Sequence, residues 1–116
     1  VYQYFKECGE LPPKDQIRPY LIDGIGEDLL PESVWMDAID EVVTVDDRSA
    51  YKAVFDLSHG EAIFTGSSGG AAAVAARQIA EPLAEDALVV TLFPDSGERY
   101  LSKLNDDWLQ RHDLLP

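Results

Sequence analysis

Short apolar runs bounded by proline, glycine or aspartate predict four strands. The runs at 39–45 ("IDEVVTV") and 87–93 ("ALVVTLF") are rich in valine, and β-branched residues favour extended backbone. Two further candidates are "RPYLIDGIG" at 18–26, which ends in a glycine turn, and "AIFT" at 62–65. Because the run at 87–93 is continuous rather than alternating, it is typical of a strand buried on both faces in a parallel sheet.

Apolar residues at helical spacing predict helices between these runs. Ala50, Val54 and Leu57 recur at intervals of four and three, with Asp46 or Asp47 placed to cap the helix and Gly60 to end it. The other predicted elements are an opening helix that ends at Gly9, an irregular stretch or short helical turn at 27–38, an alanine-rich helix from about Gly70 to Leu83, and a capped tail that packs through Trp108 and Leu109.

The alternation of strands and helices with short connections predicts an α/β architecture of three layers around a mostly parallel sheet. Ligands of such folds bind at the carboxyl ends of the strands. Three turns fall at predicted strand ends, with the sequences "GIG" (24–26), "GSSGG" (66–70) and "PDSGERY" (94–100). We therefore expect these turns to converge, and we expect Asp95 and Ser96 to cap the element that follows them.

Length and charge restrict the classes of function. The 116 residues suit one domain, and a net charge of −13 repels phosphate backbones and anionic lipids, so no nucleic-acid or membrane partner is predicted. The lone cysteine, Cys8, forms no internal disulfide, and the first residues show no charged-then-apolar leader pattern, so we expect a cytoplasmic protein. The chain opens in the middle of a helical pattern, so we expect it to be a fragment.

The glycine-serine turn is a weak motif by itself. No lysine follows the glycines as in a phosphate loop, and the dinucleotide-binding spacing of glycines is absent. His59 and His112 lack metal-ligand spacing, so no metal site is predicted, and no Ser-His-Asp arrangement is found. From the residues alone, close packing of the turn and binding of a polar ligand both stay open.

Taken together, the motifs resemble one enzyme family over nearly the whole chain. The order and spacing of five segments is similar to the C-terminal part of fold-type II pyridoxal-phosphate enzymes, above all cystathionine β-synthase and cysteine synthase. The segments are "YLIDGIGEDLLP", "DEVVTVDD", "GSSGGAAAVAA", "LFPDSGERYLSK" and "NDDWL". "GIGED" and "SKLNDDWL" look more like cystathionine β-synthase, and the chain stops where its catalytic core would stop, before any regulatory module.

This resemblance implies a cofactor, pyridoxal 5′-phosphate, and residues that contact it. Ser67, the first serine of the "SSG" pattern, would hydrogen-bond the pyridine nitrogen, and Pro94 would flank the same edge of the ring. The turn formed by Gly24, Ile25 and Gly26 would line the substrate cleft close to the cofactor. The ligand of the glycine-serine turn would then be a ring nitrogen rather than a phosphate.

No catalytic residue of the family is assigned to this chain. The Schiff-base lysine and the phosphate loop of the family precede the matched region, and Lys6, Lys14, Lys52 and Lys103 do not lie in that lysine's motif. The chain also departs from the family at Thr65, where glycine is common, at Gly70, where alanine or serine is usual, and at "SHGE" (58–61). Alone, the chain is expected to bind cofactor poorly and to be inactive.

The resemblance implies that residues 1–116 are the C-terminal portion of a β-synthase catalytic domain. It also implies that the complete enzyme is a homodimer. The enzyme would condense serine or O-acetylserine with homocysteine or sulfide to give cystathionine or cysteine. Two alternatives stay open. One is a non-catalytic fragment or degenerate module, and the other is a serine or threonine dehydratase or a diaminopropionate-forming synthase on the same fold.

Substitution of Ser67 by aspartate tests the assignment of the ring-nitrogen contact. A carboxylate stabilises a protonated pyridine and so makes the ring a stronger electron sink, which a hydroxyl does not do. Ser67→Asp should therefore shift the absorption spectrum of the cofactor toward the fully delocalised carbanion. An unchanged spectrum in an active enzyme would contradict the assignment.

Overall fold

A computed structural model describes residues 1–26 and 29–114. Its α-helices are α1 (Tyr2–Cys8), α2 (Asp47–Glu61), α3 (Ser67–Ala80) and α4 (Asp106–Arg111), and short 3₁₀ turns occur at Lys14–Gln16, Met36–Ala38 and Gly97–Tyr100. Within the predicted irregular stretch at 27–38, Glu27 and Asp28 lie outside the described residues. No helix among the described residues is both long enough and apolar enough to cross a bilayer.

The helix ends confirm most of the predicted caps. Asp46 caps α2 by accepting a hydrogen bond from the backbone N–H of Ser49 at 2.9 Å, and its bonds with Ser49 lower the pKa of the Asp46 carboxyl. Gly9 ends α1 with φ +74°, a left-handed conformation that glycine adopts without steric cost. Asn105 caps α4 by accepting from the N–H of Trp108 at 3.1 Å.

Three helix boundaries and two caps differ from the prediction. α2 continues through Gly60 to Glu61 and ends with Ala62 in the left-handed region at φ 56°. α3 begins at Ser67 and ends at Ala80, so the serines and glycines form its first turn rather than a loop before it. Small residues fit there because the first backbone N–H groups need no intrahelical partner. The predicted caps at Asp95 and Ser96 are wrong, since Ser96 precedes the 3₁₀ turn without a side-chain capping bond.

α2 and α3 pack against each other at a position that only glycine can occupy. A Cβ on Gly70 would lie 2.2 Å from the carbonyl oxygen of Ala50 and 2.8 Å from Cγ2 of Val54. This explains why glycine replaces the usual alanine or serine. The small residue at this position of α3 therefore allows close approach to helix α2.

The predicted sheet is not observed among the described residues. The runs at 18–26, 39–45, 62–65 and 87–93 form no ladder, and the one bridge is an isolated antiparallel pair between Thr65 and Ser96. In the run at 87–93, Leu88, Val90 and Leu92 are 87%, 82% and 74% exposed instead of buried. A buried strand needs paired strands beside it and layers on both faces, and the described residues provide neither for this run.

The buried residues include two small clusters, and each contains one residue of α2. Ile22, Ala50 and Ala71 form the first, which joins the segment before the glycine turn to α2 and α3. Tyr51, Leu109 and Leu114 form the second, which confirms that the tail packs back on the domain. The Trp108 ring supports this cluster, with its centroid 5.5 Å from that of Tyr51.

Gly70 and Gly60 give a matched pair of substitutions in adjacent helices. Gly70→Ala should destabilise the chain by about 1–3 kcal/mol, because the added methyl forces α2 and α3 apart. Gly60→Ala should stabilise it by roughly 0.4–1 kcal/mol, since Gly60 is helical and nothing lies within 4 Å of an added Cβ. Urea unfolding of both variants measures the two changes, and equal effects would contradict the close helix contact.

Candidate functional site

The three glycine-containing turns lie together, as the sequence predicted. The backbone N–H of Asp23, directly before the first turn, donates to Oγ of Ser67 at 3.1 Å. The third turn is joined to the second through the Thr65–Ser96 bridge and through a bond from Oγ1 of Thr65 to the Asp95 carbonyl at 3.1 Å. Residues as far apart in the sequence as Asp23 and Ser96 therefore belong to one polar cluster.

Ser67 lies at the centre of this cluster. It is the first residue of α3, follows Gly66 in extended conformation, and is only 2% exposed. Its Oγ accepts the bond from Asp23, so the hydroxyl is held in one place by the segment that leads into the first turn. In this low-dielectric position its hydrogen bonds are stronger than they would be in water.

Gly66 brings the third turn into contact with the start of α3. A Cβ at this position would lie 2.5 Å from Oδ1 of Asp95 and 2.5 Å from Cε2 of Tyr100. The Tyr100 hydroxyl donates to Oδ2 of Asp95, which together with burial raises the pKa of Tyr100. Oδ1 of Asp95 is buried without a hydrogen-bond partner among the described residues. The cluster therefore contains an unsatisfied acceptor beside the start of α3.

The turn at 24–26 requires its two glycines and is fixed from several sides. Gly24 and Gly26 have φ values of +76° and +63°, in the region that side chains disfavour. Ile25 packs on the cluster formed by Ile22, Ala50 and Ala71. The Tyr20 hydroxyl donates to the carbonyl of Gly26. These contacts hold the turn in one defined conformation against the rest of the fold.

An ion pair that the sequence analysis did not predict connects this turn to the tail. Nζ of Lys103 lies 2.6 and 2.8 Å from the two carboxylate oxygens of Asp23 and 5.8 Å from the centroid of the Trp108 ring. Both side chains of the pair are about one-third exposed. The pair spans 80 residues of sequence, so no local pattern indicated it, although Lys103 belongs to the "SKLNDDWL" segment.

The contacts of two residues of α2 with the segment before the glycine turn were not predicted. Asp47 accepts hydrogen bonds from the backbone N–H groups of Leu21 and Ile22 at 2.9 and 3.3 Å, and the Tyr51 hydroxyl donates to the Leu21 carbonyl at 3.0 Å. Burial raises the pKa of Tyr51 to about 12. The sequence analysis assigned α2 by the apolar spacing of Ala50, Val54 and Leu57, and Tyr51 is not a member of that series.

The structure therefore places the predicted site residues in two groups. Ser67 and the turn of Gly24, Ile25 and Gly26 are joined through Asp23. Pro94 is exposed, and its turn is attached through Asp95 and Ser96 to Thr65 rather than to Ser67 itself. Two surface grooves of about 560 and 700 Å³ lie elsewhere, one beside Trp35 and one between the exposed sides of α2 and α3.

Comparison with known proteins shows the family to which the chain belongs. The family model described as "Pyridoxal-phosphate dependent enzyme" matches residues 2–95. An N-(2-amino-2-carboxyethyl)-L-glutamate synthase of Cupriavidus metallidurans is 45% identical over 94 residues, covering 78% of this chain and 28% of that protein. Cystathionine beta-synthase of Saccharomyces cerevisiae is 34% identical over 105 residues, covering 87% of this chain and 21% of the yeast enzyme.

The solved structures agree with the sequence relatives. The crystal structure of O-ureido-L-serine synthase superimposes with a TM-score of 0.73 at 32% identity, over 88% of this chain and 30% of that one. Cysteine synthases also occur among the relatives. The chain thus spans less than a third of the length of these three proteins. It belongs to the fold-type II pyridoxal-phosphate-dependent enzymes, in the cystathionine β-synthase and cysteine synthase family, whose cofactor is pyridoxal 5′-phosphate.

Proposed function

We propose that residues 1–116 are the C-terminal portion of the catalytic domain of a β-replacement enzyme of sulfur amino-acid metabolism. The complete enzyme condenses serine or O-acetylserine with homocysteine or sulfide, and its N-terminal portion supplies the Schiff-base lysine and the phosphate loop. The observation that carries this proposal is the buried hydroxyl of Ser67. The backbone N–H of Asp23 donates to its Oγ at 3.1 Å, and this bond holds the hydroxyl beside the glycine turn.

The surroundings of Ser67 suit the nitrogen edge of a pyridine ring. A hydroxyl has one proton and two lone pairs, so after accepting from Asp23 the Ser67 oxygen can still donate one hydrogen bond and accept another. Bound pyridoxal phosphate supplies an electron sink for bonds at the α-carbon of an amino acid. Because Ser67 is neutral, it does not hold a proton on the ring as a carboxylate would, which favours departure of a leaving group from the β-carbon.

The turn at 24–26 is proposed to line the substrate cleft. Its support is the set of contacts that hold it beside Ser67: the Asp23 backbone bond, the Asp23–Lys103 ion pair and the two left-handed glycines. Glycines leave the backbone open to close approach by a ligand. Pro94 is proposed to flank the same edge of the ring. The support for this is that its turn is attached to the residues directly before Ser67.

The exposed apolar run at 87–93 is proposed to be a strand of a mostly parallel sheet in the large domain of the complete enzyme. Leu88, Val90 and Leu92 expose apolar surface that solvent would disfavour if it stayed uncovered. The match with a crystal structure over 88% of the chain but 30% of the other protein supports additional segments beside this run. The predicted homodimer and the cytoplasmic location stay predictions.

A second candidate function is a β-replacement in which the nucleophile is an amine instead of a thiol. The relative that is 45% identical to this chain is named for N-(2-amino-2-carboxyethyl)-L-glutamate, a product in which the nitrogen of glutamate carries a 2-amino-2-carboxyethyl group. The same β-replacement with an amine instead of a thiol would need the same contacts at Ser67. Substrate assays with glutamate beside the two thiols separate these candidates.

Spectroscopy and product analysis test the proposal. The full product of the reading frame that encodes these residues should bind pyridoxal phosphate, change its absorption on addition of serine or O-acetylserine, and form product with one of three nucleophiles: homocysteine, sulfide or glutamate. The 116-residue chain alone should bind cofactor weakly and form no product. Absence of cofactor binding by the full product would overturn the proposal in favour of a non-catalytic module.

Ser67 and Ser68 provide a matched pair for the site itself. Ser67→Ala should lower the turnover of the full enzyme about tenfold, the effect of one lost hydrogen bond to a reacting group. Ser68→Ala, the control at the next buried position of α3, should leave turnover within about twofold. Equal losses in the two variants would contradict the ring-nitrogen role of Ser67.

A further inference from the structure

Asp23 is held through both its backbone and its side chain, by two different parts of the chain. Its backbone N–H donates to Oγ of Ser67, the first residue of α3, at 3.1 Å. Its two carboxylate oxygens accept from Nζ of Lys103 at 2.6 and 2.8 Å. Hydrogen bonds between charged groups are roughly twice as strong as those between neutral ones. Asp23 therefore connects the buried hydroxyl of the candidate site to a lysine near the end of the chain.

The glycine turn that follows Asp23 has an open position directly beside it. Gly24 has φ +76°, and a Cβ added there would meet no atom of the described residues within 4 Å. Ile25 packs on an apolar cluster, and the Tyr20 hydroxyl donates to the carbonyl of Gly26. Because glycine has no side chain to restrict its backbone, the place of Gly24 depends on these neighbours. On its N-terminal side that neighbour is Asp23.

Lys103 is itself fixed by the tail of the chain. Its Nζ lies 5.8 Å from the centroid of the Trp108 ring, within the range of a cation–π interaction. The Trp108 ring belongs to α4, lies 5.5 Å from the ring of Tyr51 and stacks on His112 at 4.0 Å. The side chain of Lys103 is only 33% exposed, so its charge is partly shielded from water and salt. The ammonium group thus lies between Asp23 and an aromatic ring that the core holds in place.

We propose that Lys103 is a positioning residue, which holds Asp23 and thereby keeps the glycine turn in place for the amino-acid substrate. This inference rests on the proposed function, because it takes the turn at 24–26 as a wall of the substrate cleft. Lys103 acts through Asp23 and does not itself contact the substrate in this role. Without the charge of Lys103, the Asp23 side chain loses its bonds, and the turn adopts its binding geometry for a smaller fraction of the time. The apparent affinity for substrate falls by that fraction.

The chain offers a matched control and a conservative variant. Lys103→Met removes the charge and keeps an apolar stem beside Trp108. Lys52→Met removes the same charge from an ion pair with Asp56 on α2, where both side chains are more than half exposed. Lys103→Arg keeps the charge, and a guanidinium group can bind both oxygens of a carboxylate. The three variants therefore separate loss of the pair at the turn from loss of a lysine in general.

The first experiment needs no cofactor. Hydrogen exchange in the complete protein, followed by mass spectrometry, should be about fivefold faster for residues 20–26 in Lys103→Met, the upper end for an ion pair that is partly exposed. Lys103→Arg and Lys52→Met should change it by less than about twofold. Unchanged exchange in Lys103→Met would overturn the proposal, since the lysine would not hold the turn. Equal acceleration throughout α2 and α3 would overturn it as well, because it would mean a general loss of stability.

The second experiment measures steady-state kinetics of the complete enzyme with pyridoxal phosphate. Lys103→Met should raise the KM for serine or O-acetylserine about fivefold and change kcat by less than about twofold. Lys103→Arg should restore the KM, and Lys52→Met should leave both constants unchanged. A fall in kcat at unchanged KM would overturn the positioning role, because the lysine would then act on the chemical step or on the fraction of folded enzyme.

The two experiments separate the inference from the function on which it rests. If the complete protein binds no cofactor and forms no product, the proposed function fails and the role toward substrate fails with it, whereas the exchange rates still show whether Lys103 holds the turn. If the enzyme is active and Lys103→Met accelerates exchange at 20–26 without raising the KM, the proposed function stands. The positioning role of Lys103 is then overturned.

Discussion

Side chains from two helices hold the backbone of residues 21–23, and the rest of the site depends on this constraint. Asp47 and Tyr51 from α2 bind Leu21 and Ile22, and Ser67 from α3 binds Asp23. In the absence of a strand partner for this segment among the described residues, these bonds satisfy groups that are otherwise costly to bury. The glycine turn that follows is consequently positioned by the first turns of two helices, whose close contact at Gly70 fixes their spacing.

Helices were predictable from this sequence where their signals are local. The caps at Asp46 and Gly9 lie within three or four residues of the groups they satisfy, so the pattern contains the information. The start of α3 was placed three residues late because glycines and serines usually indicate a loop. The predicted strands are not observed among the described residues, because the conformation of a run such as 87–93 depends on neighbouring segments that no local pattern contains.

The candidate site was likewise predictable from the sequence only in part. The convergence of the three turns followed from a general rule on strand ends, and the role of Ser67 from resemblance to a family. Asp23, Lys103 and Tyr51 were missed because their contacts join residues 30 to 80 positions apart. Such pairs have no signature in one sequence, since aspartate, lysine and tyrosine are ordinary surface residues until the fold brings them together.

The ion pair between Asp23 and Lys103 has a consequence for the order of folding. α2 and α3 are joined by the five residues 62–66, so they can pack after closing a short loop, which has a small entropic penalty. The ion pair closes a loop of 80 residues and gains little until the tail has docked on Tyr51. The helix pair is therefore expected to form early, and the glycine turn to reach its final geometry as one of the last events in folding.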